Sequence, residues 1–97
     1  MKIADIIKVF DEAAPAELQE SYDNAGLIIG SPDDEVKAAL ITLDVTEEVI
    51  EEAINLKCDL IIAHHPLIFK GLKSLGRKNP VERMAITCIR NNIAVFA

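Results

Sequence analysis

Apolar residues near the start of the chain fall at Ile3, Ile6, Ile7 and Phe10, with Asp5, Lys8 and Asp11 between them. Spacing by threes and fours gathers them into one stripe and predicts an amphipathic helix over residues 3–13. The helix ends ahead of Pro15, because the residue before a proline is driven out of the helical region. In "SYDNAGLIIGSPDDE" the turn formers Asp23, Asn24 and Gly26 precede a short apolar strand, Leu27 to Ile29. Gly30, Ser31, Pro32 and Asp33 close it.

From Val36 the period changes. "VKAALITLDV" is a long apolar, partly β-branched run, the pattern of a buried strand. "TEEVIEEAINLK" predicts a helix, with Glu47 and Glu48 at its positive dipole end and Lys57 at its negative end. "DLIIA" predicts a second buried strand, and a loop over residues 66–79 follows. "NPVERMAITCIRNN" predicts another helix, with Asn79 as cap, Pro80 in the first turn and Glu82 three residues after the cap. Val81, Met84, Ala85, Cys88 and Ile89 form its buried stripe. "IAVFA" is a third apolar strand.

Strand, helix, strand, helix, strand requires two crossovers, which join parallel strands in a right-handed sense. The fold class is therefore α/β: a β-α-β-α-β parallel sheet core preceded by an N-terminal helix and a short strand. The 97 residues make one small domain, able to bury roughly two thirds of its unfolded surface. Ala97 falls at the end of an apolar strand, where a parallel sheet delivers loops to a site. Residues 1–97 are thus expected to be a single α/β domain forming the N-terminal part of a longer protein.

Composition narrows the function. With one Tyr, three Phe and no Trp, the core must be aliphatic. The net charge of -6 argues against broad nucleic-acid binding, which depends on Lys and Arg neutralising phosphates. Cys58 and Cys88 lie in no CxxC pair and near no histidine, so a zinc ribbon or disulfide framework is not expected, and a reducing cytoplasm fits. Charges at Asp5, Lys8 and Asp11 interrupt any signal-peptide core. No apolar run reaches the ~20 residues of a membrane span.

The chemistry concentrates in "DLIIAHHPLIFKG", where His64 and His65 follow an apolar strand and precede Pro66. Strand side chains alternate faces, so the two rings cannot reach one ion from a regular strand. Either the backbone turns as it leaves the sheet, or each histidine binds its own ion. Pro66 holds His65 extended, which favours divergence and one ion per ring. Imidazole is a common ligand of zinc, iron, nickel and copper. Equally open from these residues alone, the pair caps the strand and hydrogen-bonds to loop backbone.

A catalytic zinc site generally takes three protein ligands. Cys58 lies six strand residues away, roughly 20 Å at ~3.3 Å per residue, and Cys88 belongs to a buried helical stripe. Asp44 closes the strand "ALITL" and would emerge on the same sheet edge as His64, although it also suits capping of the helix that follows. These residues by themselves do not complete a metal site.

"GLKSLGRK" nearly spells a phosphate-binding loop. Arg77 stands where the lysine belongs and Lys78 where the magnesium-binding hydroxyl belongs, so the match fails. Lys70, Lys73, Arg77 and Lys78 nonetheless gather four of the ten basic residues in an acidic chain. They are either a solvated loop or the rim of a metal site that attracts a phosphorylated substrate, with Lys70 the first contributor. "YDNAGL" reads as a turn.

Taken together, "ESYDNAGLIIG", "ALITLDVTEEVIEEA" and "DLIIAHHPLIFKGLKSL" closely resemble the amino-terminal part of the NIF-three-like family, also known as GTP cyclohydrolase 1 type 2 homologues. The resemblance runs in order over the whole chain, and "AHHPLIFK" is its most specific stretch. It implies a larger NIF-three-like fold with two divalent metal ions (Zn, Fe, Mn or Ni), to which His64 and His65 supply one ligand each. It also implies further ligands beyond residue 97: an aspartate in an "HTNLD"-like segment, then a histidine and a glutamate near the carboxyl terminus. Tyr22 stands where relatives often carry tryptophan. The resemblance further implies a ring-shaped homohexamer with its metal sites facing an internal cavity.

The resulting expectation is a dinuclear metal-dependent hydrolase of the GTP cyclohydrolase kind, acting on a nucleotide-like small molecule when full length. The 97 residues alone are expected to be inactive. His64 and His65 are the metal ligands, Asp44 an outer-shell helper and Lys70 a phosphate contact. The alternative is a metal-stabilised oligomeric scaffold that binds protein partners. A metal-free mononucleotide binder ranks last, since no glycine-rich phosphate loop is present.

Overall fold

The computed structural model describes residues 1–13, 26–65, 75–76 and 78–97. Helix α1 (Ile3–Ala13) precedes strand β1 (Leu27–Ile29), and then β2 (Ala39–Thr42), α2 (Glu47–Asn55), β3 (Leu60–Ala63), α3 (Pro80–Arg90) and β4 (Ala94–Phe96) follow. The sheet order is β1-β4-β3-β2. β2 and β3 are parallel, as are β3 and β4, while β1 joins β4 antiparallel. The predicted parallel β-α-β-α-β core is present, with the short first strand added at its far edge.

The helices start and stop where local chemistry directs. Thr46 caps α2, its hydroxyl accepting from the Val49 amide at 3.1 Å, and Asn79 caps α3 by accepting from the Glu82 amide at 2.9 Å. Lys57 and Asn92 take left-handed backbone, at φ 58° and 55°, one residue past the respective helix caps. At each end two amides fold back: Lys57 onto Ile54 and Cys58 onto Ala53, Asn92 onto Ile89 and Ile93 onto Cys88. This paired closure satisfies the last carbonyls and turns the chain straight into β3 and β4.

Two apolar layers flank the sheet. On one face α2 and α3 bury Ile50, Ala53, Met84 and Cys88 against Ile61, Ala63 and Val95. On the other, Ile3 packs on Leu60, Ala94 and Phe96, with Ile6 and Ile7 of α1 beside it. Alternation along β3 sends Ile61 and Ala63 to the first layer, Leu60 and Ile62 to the second. The Phe10 ring completes the second layer, 5.6 Å from that of Phe96. At Gly30, with φ +112°, a Cβ would come within 2.7 Å of the Ala94 Cβ, so only glycine lets the end of β1 approach β4 this closely.

Three expectations are corrected. The run from Val36 yields only a four-residue strand at the sheet edge, not a long buried one, and Ile41 and Leu43 are 76 % and 67 % exposed. α1 packs on Leu60, Ala94 and Phe96, and among the described residues Ile41 and Leu43 belong to neither apolar layer. Ile89 is exposed rather than part of the buried stripe of α3. In its place Glu82 is buried, and its Oε2 finds no hydrogen-bond partner among the described residues. The cap of α3 is thus formed only from the Asn79 side.

Candidate metal centre

β3 delivers its histidines at the carboxyl edge of the sheet, one and two residues past Ala63. In a regular strand successive amides point to opposite sides. Here both consecutive amides turn to β2: that of His64 donates to the Thr42 carbonyl at 3.1 Å and that of His65 to the Leu43 carbonyl at 2.9 Å. The backbone has therefore bent away from strand geometry at these two residues. The bend sets the rings together, centroids 4.9 Å apart and planes at 61°, edge to face. Divergence to opposite faces is not what occurs. Of the two arrangements compatible with a metal, the structure shows the turned backbone, and both side chains are exposed.

Asp44 does emerge on this edge. Thr42 of β2 pairs with Ala63 of β3, so Asp44 and His65, each two residues further on, come side by side. Asp44 Oδ1 lies 2.7 Å from His65 Nδ1. The Thr42 hydroxyl donates to the Asp44 carbonyl at 3.1 Å, tying down the turn that presents the carboxylate. Capping of α2 falls to Thr46, which leaves the Asp44 side chain for the histidine. Sequence reading placed Asp44 on the right edge without identifying its partner. The usable signal was the equal offset of Asp44 and His65 from the ends of two apolar strands.

Among the described residues, no three His, Cys, Asp or Glu side chains gather closely enough to hold an ion. The donor chemistry fits a metal: two adjacent, exposed imidazoles that, among the described residues, make no ring hydrogen bond to backbone. What these residues supply is part of a ligand set. Lys70, the expected phosphate contact, lies outside the described residues, as do Tyr22, Lys73 and Arg77. Cys88 is fully buried in the core, and burial pushes its thiol up to about 11. A cavity of about 480 Å³ opens at the opposite, amino ends of β3 and β4, lined in part by Asp34, Asp59 and Ala94. Asp34 already accepts the Ser31 amide and Asp59 those of Lys37 and Ala38, while Glu35 pairs with the terminal amine; the cavity lies at the end of the sheet away from the histidines.

The model of one protein family, Duf34/NIF3 (NGG1p interacting factor 3), matches residues 1–97. The chain belongs to the DUF34/NIF3 family. Curated DUF34/NIF3 relatives carry the name GTP cyclohydrolase 1 type 2 homolog. That of Clostridium perfringens is 37 % identical over 97 residues, covering all of this chain and 37 % of the relative. That of Bacillus subtilis is 42 % identical over 92 residues, covering 95 % of this chain and 25 % of the relative. Among solved structures, Staphylococcus aureus protein SA1388 superposes with a TM-score of 0.92 at 44 % identity, over 100 % of this chain and 28 % of that one. The chain thus spans about a third of the length of such relatives, or less. No helix among the described residues is long and apolar enough to cross a membrane.

Proposed function

We propose that His64 and His65 are metal ligands of a dinuclear hydrolase of the GTP cyclohydrolase kind, acting on a nucleotide-like substrate when the chain is part of a full-length DUF34/NIF3 protein. The observation that supports metal ligation is the exposed, edge-to-face imidazole pair at the carboxyl end of an interior parallel strand; that the ions number two rests on the family resemblance. Open α/β sheets place ligands at that end. Divalent ions held by His64 and His65 would supply activation of a bound water for attack.

The chain's own contribution is to hold the two rings on one side of the strand. The amides of His64 and His65 fix the backbone beneath them, and Asp44 fixes one ring. For a purine nucleotide, the group attacked would be the imidazole ring carbon, hydrated and then opened with loss of formate. Lys70 would contact the phosphates. Localisation in the cytoplasm, which the unpaired cysteines fit, and assembly into a homohexamer, which the resemblance implies, belong to the same proposal.

The test is elemental analysis and GTP turnover, with formate release as readout, in a full-length chain carrying these 97 residues. Wild type should retain stoichiometric metal and release formate. His64→Ala and His65→Ala together should abolish both. Metal retained by the double variant would defeat the reading.

A second reading is supported by the exposed apolar side chains Ile41 and Leu43: a metal-stabilised oligomeric scaffold for protein partners, in keeping with the interaction factor of the family's name. Partner binding that survives loss of His64, with no nucleotide turnover in wild type, would favour it.

A further inference from the structure

We infer that Asp44 is a positioning residue for His65: it fixes the ring's tautomer, so that Nδ1 carries the proton and Nε2 is left as the open donor atom. This rests on the reading of the pair as metal ligands only for its functional meaning; the tautomer itself follows from hydrogen-bond chemistry.

An ionised carboxylate can only accept, so a contact between Asp44 Oδ1 and His65 Nδ1 at 2.7 Å requires the hydrogen to sit on Nδ1. That distance is typical of a charge-assisted bond. A neutral imidazole has one N–H and one lone pair; fixing the first on Nδ1 fixes the second on Nε2. Metal-binding histidines commonly donate their other ring nitrogen to a carboxylate in this way, which orients the ring and raises its basicity.

The two histidines are therefore unequal. The His65 ring is held by Asp44, whereas among the described residues the His64 ring makes only its edge contact with His65. The arrangement is not there for stability. Both side chains of the Asp44–His65 pair are more than 60 % exposed, and exposed pairs of this kind contribute little to stability. It is nevertheless secured on every side: by the β2–β3 register, by the Thr42 hydroxyl on the Asp44 carbonyl, and by the His65 amide on Leu43. Surroundings this specific around a bond of little energetic weight serve orientation.

The test uses a full-length chain carrying these 97 residues, freed of metal and labelled with ¹⁵N in its imidazoles, followed by two-bond ¹H–¹⁵N correlation at a pH where both rings are neutral. In wild type, His65 should show a protonated-type Nδ1 and a lone-pair-type Nε2, with His64 showing an average of tautomers. Asp44→Ala should convert His65 to the averaged pattern. Asp44→Asn, which retains an acceptor oxygen, should restore much of the fixed pattern. Zinc titration should then shift His65 Nε2, with affinity through that ring about 10–100-fold weaker in Asp44→Ala.

An averaged His65 in wild type, a tautomer unchanged by Asp44→Ala, or zinc arriving at Nδ1 would each overturn the inference. A fixed tautomer with no zinc response at either ring would instead uphold it and overturn the metal reading.

Discussion

β2 and β3 are almost interchangeable as strings. "ALIT" and "LIIA" are both four-residue apolar strands, paired in parallel with each other, and each is followed by an acidic or imidazole side chain. Their surroundings differ completely. β3 has a neighbour on both sides and a covered face above and below, so Leu60 and Ile61 are fully buried. β2 is terminal in the sheet, and only Leu40 and its side of the strand pack against the α2–α3 layer. Apolar content reports that a strand can be buried. Its place in the sheet decides whether it is.

The same contrast explains the location of the candidate chemistry. An interior strand ends with a neighbour alongside, and that neighbour can supply a partner. The His65 ring is held by a residue of the adjacent β2 turn at the matching offset. An edge strand has this on one side only.

The comparison is tested most severely by truncation in β3. Ile61→Ala should destabilise the fold by about 2–5 kcal/mol in urea unfolding, since a fully buried β-branched side chain leaves a cavity between two helices and the sheet. Next is the link between the strands. The Asp59 carboxylate accepts the amides of Lys37 and Ala38 and so fastens the entry of β2 to the start of β3. Asp59→Ala should lose about 1–2 kcal/mol, and Asp59→Asn less, because one acceptor oxygen remains.

Cys88 packs in the same layer as Ile61, and its thiol is raised from 9.0 to about 11 by burial. The unfolded thiol ionises first as pH rises, so above about 9 the unfolded state binds fewer protons than the folded one. Stability should therefore be level below pH 9 with respect to this group and decline between 9 and 11. Cys88→Ala should flatten that decline, as read from unfolding midpoints across the range. The smallest effect belongs to β2. Ile41→Thr should change stability by no more than about 0.5 kcal/mol, and a loss as large as that of Ile61→Ala would break the contrast between the two strands.

Much of the local structure was legible. The spacing of Ile3, Ile6, Ile7 and Phe10 located α1 over residues 3–13, the bounds observed. Asn79 and Pro80 marked the start of α3, and Leu27–Ile29 was bounded by its turn residues. Each of these is decided within a few positions, by side-chain periodicity or by backbone groups the residue can reach. The candidate site was half legible: His64 and His65 could be singled out and Asp44 placed on their edge. That His65 is Asp44's partner, and that the two rings meet rather than diverge, depended on a bend at 64–65 and a register spanning twenty-one residues.

Sequence by itself determined the element types, the Asn79 cap of α3, the aliphatic character of the core and the residues with metal-binding chemistry, because these are set by short-range sterics and hydrogen bonding. Tertiary structure alone decided that β2 stands at the edge, that Ile89 is exposed while Glu82 is buried, and that Asp44 faces His65. Those outcomes depend on which neighbour packs against each face, and neighbours are chosen by long-range closure of the whole sheet, to which local periodicity is blind.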